Sequence, residues 1–427
     1  MKKEEILKVE IAHEIPERGW FYASVALPAT QDELEDALQR ARVTGPEHGL
    51  LEVGILGCEV WPELLFYRMD TVSLEELQFF AERLSGMDSM ERVIFKAVAP
   101  VVLGKPSDGL LSIKDLINCT YGLDDVIVAA DIGSDEQLGE LVIETEMNEQ
   151  VNEVPEHLLH LLDRKKIGEA QRKTDGGVYA GELYIAAGEY ELPKVYDGKM
   201  LPGAQKTDHP RPVFELELSM GQGQNEEEAV MRISLPAEES EVRCFMSSLG
   251  NRMLKEAEHF QFTSSVPQIT AEHFSGISEI ESWNRLAEKI QGASLGEMVL
   301  FKAVLSAEKP NGLMGIRDIM DNLHQYELLC GVNGSDEFFK EYLAHHLDDS
   351  FDREWLSTLL TWTEGVNLLK RLGASNTDYG VVSGRGRFLF EAVRYSMDDE
   401  AVQESLEEAH KDNELEQENL SGITQVM

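Results

Sequence analysis

Two stretches of this chain, 206 residues apart, are close copies of each other. Residues 81–98 read AERLSGMDSMERVIFKAV and residues 287–304 read AEKIQGASLGEMVLFKAV. Upstream, VALPA from Val25 matches ISLPA from Ile233 at an offset of 208. Downstream, GLLSIKDLI from Gly109 matches GLMGIRDIM from Gly312 at 203. Then Gly133-Ser134-Asp135-Glu136 matches Gly334-Ser335-Asp336-Glu337 at 201. Collinear matches with a slowly drifting offset are the mark of an internal repeat, and a repeat restricts the fold to one supersecondary unit used twice.

The seam is expected in residues 192–212, LPKVYDGKMLPGAQKTDHPRP, which are rich in Pro and Gly and poor in apolar periodicity. The division read from the sequence is residues 1–191 as unit one, 192–212 as a linker, 213–397 as a diverged unit two, and 398–427 as an acidic C-terminal tail. The fold class is α+β: an elongated tandem duplication, each unit made of small antiparallel sheets plus a helical middle region.

Within unit one, residues 21–27 alternate like a strand that Pro28 ends. Thr30 is placed to cap a helix from Gln31, and 51–61 reads as a second strand. Ser73-Leu74-Glu75-Glu76 is a capping-box start for a helix through Leu84. Residues 91–102 are apolar on most sides and predict a buried helix. A short helix is expected over 112–120, a strand-like run over 126–130 and a helix from Ser134 to about Glu146. Another helix is expected to start within 155–163, and 177–187 reads as a closing hairpin. Unit two repeats this order with different surface residues.

Charge directs the reading of function. The chain carries 79 acidic and 38 basic side chains, a net of −41 on 427 residues, yet 42% of it is apolar. Residues 1–212 hold 40 acids and 21 bases and the remainder 39 and 17, so the charge belongs to both halves. Like charge at this density works against a compact fold. The physical partner that rewards it is a basic protein surface built to receive nucleic acid. Duplex DNA carries one charge per roughly 1.7 Å, so 41 charges correspond to roughly 70 Å of duplex. The same field disfavours nucleic acid and anionic membranes as partners. No run of about 18 apolar residues is present for a transmembrane helix. The start of the chain lacks a signal-peptide stretch. Cys58, Cys119, Cys244 and Cys330 have no metal spacing and read as buried, reduced thiols of a cytoplasmic protein.

The candidate partner-binding carboxylates form clusters. Glu136, Glu140 and Glu144 follow Asp135 at i, i+4, i+8, which sets three carboxylates about 6 Å apart on one helix face. Repulsion at that spacing weakens a helix, so local stability does not explain them. Asp32, Glu33, Glu35 and Asp36 crowd the first helix. Asp124, Asp125 and Asp131 flank the strand-like run. Glu238 and Glu239 belong to a cluster of unit two that includes Glu226–Glu228 and Glu241.

Catalytic and cofactor readings find little. Ser383-Gly384-Arg385-Gly386-Arg387 lacks the lysine and following helix of a phosphate loop and reads as a hairpin turn. His345-His346 and His157/His160 lack metal-ligand context. The basic stretch Arg164-Lys165-Lys166, with Arg172-Lys173, is expected to pair with acids of the same chain. No catalytic residue, cofactor or metal is assigned.

At this point a family resemblance appears. The Leu27-Pro28 turn, the helical middle from Leu74 to Val98, and Asn152-Glu153-Val154-Pro155, Leu158, Leu162-Asp163, Ile167-Gly168 and Gly177-Val178-Tyr179 resemble the ArdA antirestriction proteins over about residues 18–190. The second half keeps Leu235-Pro236, the FKAV stretch, and Gly365 after Trp355 and Leu359-Leu360. In place of Glu-Val-Pro it has Asp352-Arg353-Glu354-Trp355. The resemblance implies an acidic α+β protein of mobile elements that mimics bent B-form DNA and occupies the DNA groove of a type I restriction–modification enzyme. It implies a homodimer too, although two fused units can already supply both halves of such a mimic. The alternative from composition alone is an acidic, chaperone-like module that shields another basic DNA-binding partner.

Overall fold

The structure, a computed structural model, describes residues 5–15, 18–43, 51–69, 72–104, 110–145, 148–203, 211–220, 229–249, 259–332, 334–346 and 362–384. The tail from 398, Glu226–Glu228, Arg385–Arg387 and the 352–355 stretch lie outside them. The chain is mixed α+β.

In chain order the first half comprises β1 (Leu7–Ile15), β2 (Gly19–Leu27), α1 (Gln31–Arg40), β3 (Leu51–Cys58), β4 (Arg68–Met69), α2 (Leu74–Ser85), α3 (Ser89–Val102), β5 (Leu110–Leu111) and α4 (Ile113–Asn118). It continues with β6 (Val128–Ala130), α5 (Asp135–Thr145), α6 (Glu149–Asn152), α7 (Arg164–Thr174), β7 (Val178–Ala180) and β8 (Leu183–Ile185). The second half comprises β9 (Phe214–Met220), β10 (Ala229–Leu235), α8 (Glu239–Leu249), β11 (His259–Ser264), α9 (Ile280–Gly292), α10 (Leu295–Glu308) and α11 (Gly312–Asp321). After these come β12 (Tyr326–Leu329), α12 (Ser335–His346), α13 (Trp362–Leu372), β13 (Ala374–Thr377) and β14 (Gly380–Gly384). Sheet orders recur: β2-β1-β3 and β10-β9-β11, then β6-β8-β7 and β12-β14-β13.

Local chemistry explains where the helices begin. Thr30 with Glu33, Ser73 with Glu76, Asp88 with Glu91 and Ser294 with Glu297 are reciprocal capping boxes, each satisfying two backbone donors that a helix start leaves open. A shared detail sits at the cis Leu27-Pro28 and Leu235-Pro236 bonds. The Gln78 amide accepts from Ala29 N and donates to Ala29 O, both at 2.8 Å. Asn284, 206 positions on, does the same at Ala237, at 2.8 and 3.1 Å. Each amide also donates to a glutamate one turn later, Glu82 or Glu288.

Two compact units emerge. One gathers residues 1–10, 24–29 and 53–207; the other gathers 11–23, 30–52 and 208–427. In the first, Phe80 and Trp61 pack on Phe95 with ring centroids 6.2 and 6.0 Å away. The tightest approach is α5 on α7. A Cβ on Gly139 would fall 1.8 Å from the Arg164 carbonyl oxygen, and one on Gly168 1.8 Å from that of Asp135. Replacing Gly168 by Ala must therefore push the helices apart, at a cost of about 1–3 kcal/mol; a thermal melt unchanged by the substitution would refute this packing. In the second unit Phe214, Phe262 and Phe274 surround the fully buried Trp283, with centroids 5.0–5.9 Å away.

Several expectations need correction. The strand β1, with alternating burial, was absent from the sequence reading. The 51–61 strand stops at Cys58, where Trp61 turns into a 3-10 segment and buries against α3. No α-helix starts at Pro155. Residues Glu156–Leu161 form a 3-10 turn with no buried residue, and α7 starts only where the Asp163 side chain accepts from Lys166 N. Residues of the expected linker pack: Tyr196 is buried, and Asn118 accepts from Val195 N and Tyr196 N while donating to Tyr196 O. Cys244 is exposed, lining a groove of about 510 Å³ beside Met231 and Phe245, whereas Cys58, Cys119 and Cys330 are buried; all four are free thiols.

Candidate partner-binding surface

The carboxylates singled out by spacing and clustering fall into three environments. Asp36 is the first correction: it is buried, not presented to solvent. Within the second unit its Oδ2 accepts from Arg40 Nε at 3.0 Å, its Oδ1 lies 3.2 Å from Lys302 Nζ, and the Tyr379 hydroxyl donates to Oδ1. The reason is the amphipathic turn of α1: Leu34, Asp36 and Ala37 share its inward side, and a buried carboxylate requires cations and donors around it. Asp36 is a structural anchor.

A second group is engaged at the surface. Arg211 binds Asp32 at 2.8 Å and Glu35 at 2.6 Å. Partial burial raises the Asp32 pKa above the ordinary carboxylate value, and the Arg211 charge works against that rise. Glu33 closes its capping box by accepting from Thr30 N at 2.6 Å. Asp135 accepts from Arg172 at 2.7 Å and from the Tyr179 hydroxyl at 2.9 Å. The Arg172 hydrogen bond is the main reason its pKa lies low. Tyr179 is pushed up to about 12, first by burial and then by donating to Asp135. Glu140 pairs with Arg164 at 2.8 Å, and Glu239 pairs with Arg243.

The basic run of α7 thus does pair with neighbouring acids, as its composition suggested. The acids it takes include the middle of the i, i+4, i+8 row. That row reads open, paired, open, with Glu136 and Glu144 separated by roughly 12 Å of helix rise.

The third group is open. Asp124, Asp125, Asp131, Glu136, Glu144 and Glu238 are exposed, and no cation pairs with them among the described residues. Five of these six lie in one short span of the first compact unit. Asp124 and Asp125 sit in a 3-10 turn before β6, Asp131 follows β6 with a positive φ of 62°, and Glu136 and Glu144 ride on α5. Leu138 and Val142 are buried on the opposite side of α5 and Leu141 is partly buried against the same cluster, which leaves the acids outward.

Tertiary structure adds Glu182, which spacing could not reveal. It is exposed in the β7–β8 turn, and its carbonyl accepts from Ile132 N at 2.9 Å, next to Asp131. Only the β6–β8 pairing brings these positions together.

Among the described residues no group of three or more His, Cys, Asp and Glu is arranged to hold a metal ion. No helix among them is long and apolar enough to cross a membrane. Comparison with protein-family models, with curated proteins and with solved structures gives no match to this chain.

Proposed function

We propose that this chain is a non-enzymatic DNA mimic that inhibits a DNA-processing defence enzyme, with a type I restriction–modification complex as the expected target. The observation that carries the reading is the open group of carboxylates, Asp124, Asp125, Asp131, Glu136 and Glu144, held on a packed α+β body of net charge −41. A carboxylate fixed by a folded scaffold presents a phosphate-like charge to a basic channel without the conformational freedom of an acidic tail. Binding by such a surface is competitive with DNA and steered by long-range attraction.

The chain is, in this reading, a duplicated unit. The recurring sheet orders and the paired amide clasps at Gln78 and Asn284 support that history. Asp36 is left out of the contact surface, and Asp32, Glu35, Asp135, Glu140 and Glu239 contribute charge already partly neutralised by arginines.

The test is target affinity beside a thermal melt. Reversing Asp131, Glu136 and Glu144 together to Lys changes the local charge by six units. It is expected to weaken target binding by about tenfold or more, while each single reversal changes it by less than about fivefold, since exposed charges contribute under about 1 kcal/mol each. Inhibition should also weaken as salt rises and the screening length falls below about 10 Å. Inhibition that leaves the target's DNA affinity unchanged would count against mimicry.

A further inference from the structure

Two places in the chain read Asn-Gly, at 311–312 and 333–334, and Asn333 lies outside the described residues. The dipeptide is chemically weak. With no side chain on the second residue, the glycine nitrogen can swing onto the asparagine's own side-chain carbonyl carbon. Whether it does so depends on how firmly the fold holds the pair.

At 311–312 the hold is slight. Asn311 is the N-cap of α11, yet its side chain makes no capping hydrogen bond, and the residue is exposed. Gly312 takes the first helical position, where the N–H has no acceptor within the helix. It stands at a left-handed φ of 76°, which suits glycine. A Cβ built on it would meet the His273 carbonyl oxygen at 3.9 Å and nothing nearer among the described residues, so the peptide has room to turn. Met314, in the same turn, is 74% exposed. Asn118 and Asn284 are the contrast: both are buried, and each clasps a backbone N–H and carbonyl, of Tyr196 and of Ala237. The repeat adds an independent observation. At the offset of 203, Asn311-Gly312 falls on Asp108-Gly109, so the first half encodes aspartate where the second half encodes asparagine.

We propose that Asn311 is a site of spontaneous modification, converting to aspartate and isoaspartate and giving the second half the carboxylate that the first half already carries. Hydroxide takes the Gly312 amide proton, and the nitrogen attacks Asn311 Cγ. The N–Cγ bond forms, the Cγ–Nδ2 bond breaks, and Nδ2 leaves as ammonia with a proton from water. Water then opens the succinimide ring. Attack at Cγ restores the main chain with an aspartate; attack at the main-chain carbonyl carbon leaves it running through Cγ as isoaspartate. One water enters and one ammonia leaves, with no oxidation. Closure requires Asn311, at ψ 101°, to rotate its peptide toward Cγ, which opens only the first turn of α11. The aspartate product suits the place, because Asp caps as well as Asn and its charge meets the positive end of the helix. The chemistry does not depend on the mimicry proposed above.

The experiment ages the full chain at mildly alkaline pH, folded and in urea. Peptide mass spectrometry follows each asparagine, and an isoaspartyl methyltransferase labels the isoaspartate product. Folded Asn311 is expected to react within about tenfold of its rate in urea, since a helix's first turn opens at little cost. Asn118 and Asn284 should be slowed by far more than about tenfold, because their opening requires the surrounding core to open. The Asn311 reaction should accelerate as the pH rises. Asn311→Gln should remove the label from that peptide, since its longer side chain closes a six-membered ring far more slowly. Asn311→Asp should keep or raise the wild-type melt. An Asn311 that keeps its amide in the folded chain while the urea sample converts would overturn the proposal. So would a label that persists in the same peptide of Asn311→Gln, or a melt lowered by Asn311→Asp.

Discussion

Replacing Glu327 by Gln is expected to stabilise the second compact unit, and to do so more strongly as the pH is raised. Glu327 lies on β12, is 4% exposed, and its Oε2 has no hydrogen-bond partner. Directly across the ladder stands Ser383 of β14, also buried and also without a partner for its hydroxyl. Burial alone lifts the carboxyl from an ordinary 4.5 to about 8.

The folded state therefore holds the proton more tightly than the unfolded chain does. Its stability from this group is complete below about pH 4.5 and is lost as the pH rises through about 8. With about 1.4 kcal/mol per pKa unit, the loss is on the order of a few kcal/mol by mildly alkaline pH. Gln is neutral throughout and escapes it. Urea midpoints at acid, neutral and alkaline pH should coincide for the two proteins below about pH 4.5, separate progressively as the pH rises from there, and hold a constant gap above about pH 8. Parallel profiles would mean that water or another group reaches Glu327 in the folded protein.

The second large effect lies at Asp36. Asp36→Asn leaves the Lys302 ammonium buried with Gln39 Oε1, 2.8 Å away, as its remaining polar contact of note. Breaking a buried ion pair from one side costs about 3–5 kcal/mol, because the surviving charge is left uncompensated. Lys302→Met should cost a similar amount by stranding the carboxylate, which Arg40 and Tyr379 only partly satisfy. The double variant should recover much of the loss, giving a coupling far outside additivity in a double-mutant cycle. Additive losses would show that the two groups do not share a desolvated site. The lysine at the matching place in the first FKAV stretch, Lys96, is exposed. No comparable penalty is expected from Lys96→Met, which serves as the control.

Those two sites also show where reading the chain succeeds and where it stops. The caps at Thr30 and Ser73, the apolar face of α3, the helix after Ser134 and the hairpin near Gly181 were legible because each depends on residues within a few positions. Strand β1 was equally legible, since Lys8, Glu10 and Glu14 alternate with Leu7, Val9, Ile11 and Ile15 as a half-buried strand requires. The helix expected to start within 155–163 begins only at the far end of that span: residues Glu156–Leu161 form a 3-10 turn with no buried residue, and the α-helix waits for the Asp163 cap and for Gly168, which lets α7 meet α5.

The sequence by itself determined the α+β class, the capped helix starts at Thr30 and Ser73 and the acidic character of both halves, since local hydrogen bonding, periodicity and composition are properties of the chain. Which carboxylates remain open was decided only by the tertiary structure. Glu136 and Glu140 are equivalent by spacing, yet one faces solvent and the other binds Arg164, 24 residues away. Asp32 and Asp36 share one helix face, yet one meets Arg211 at the surface and the other meets Lys302 in the interior. A charge's worth depends on its partners and its depth from water, and both are fixed by residues far away in the chain.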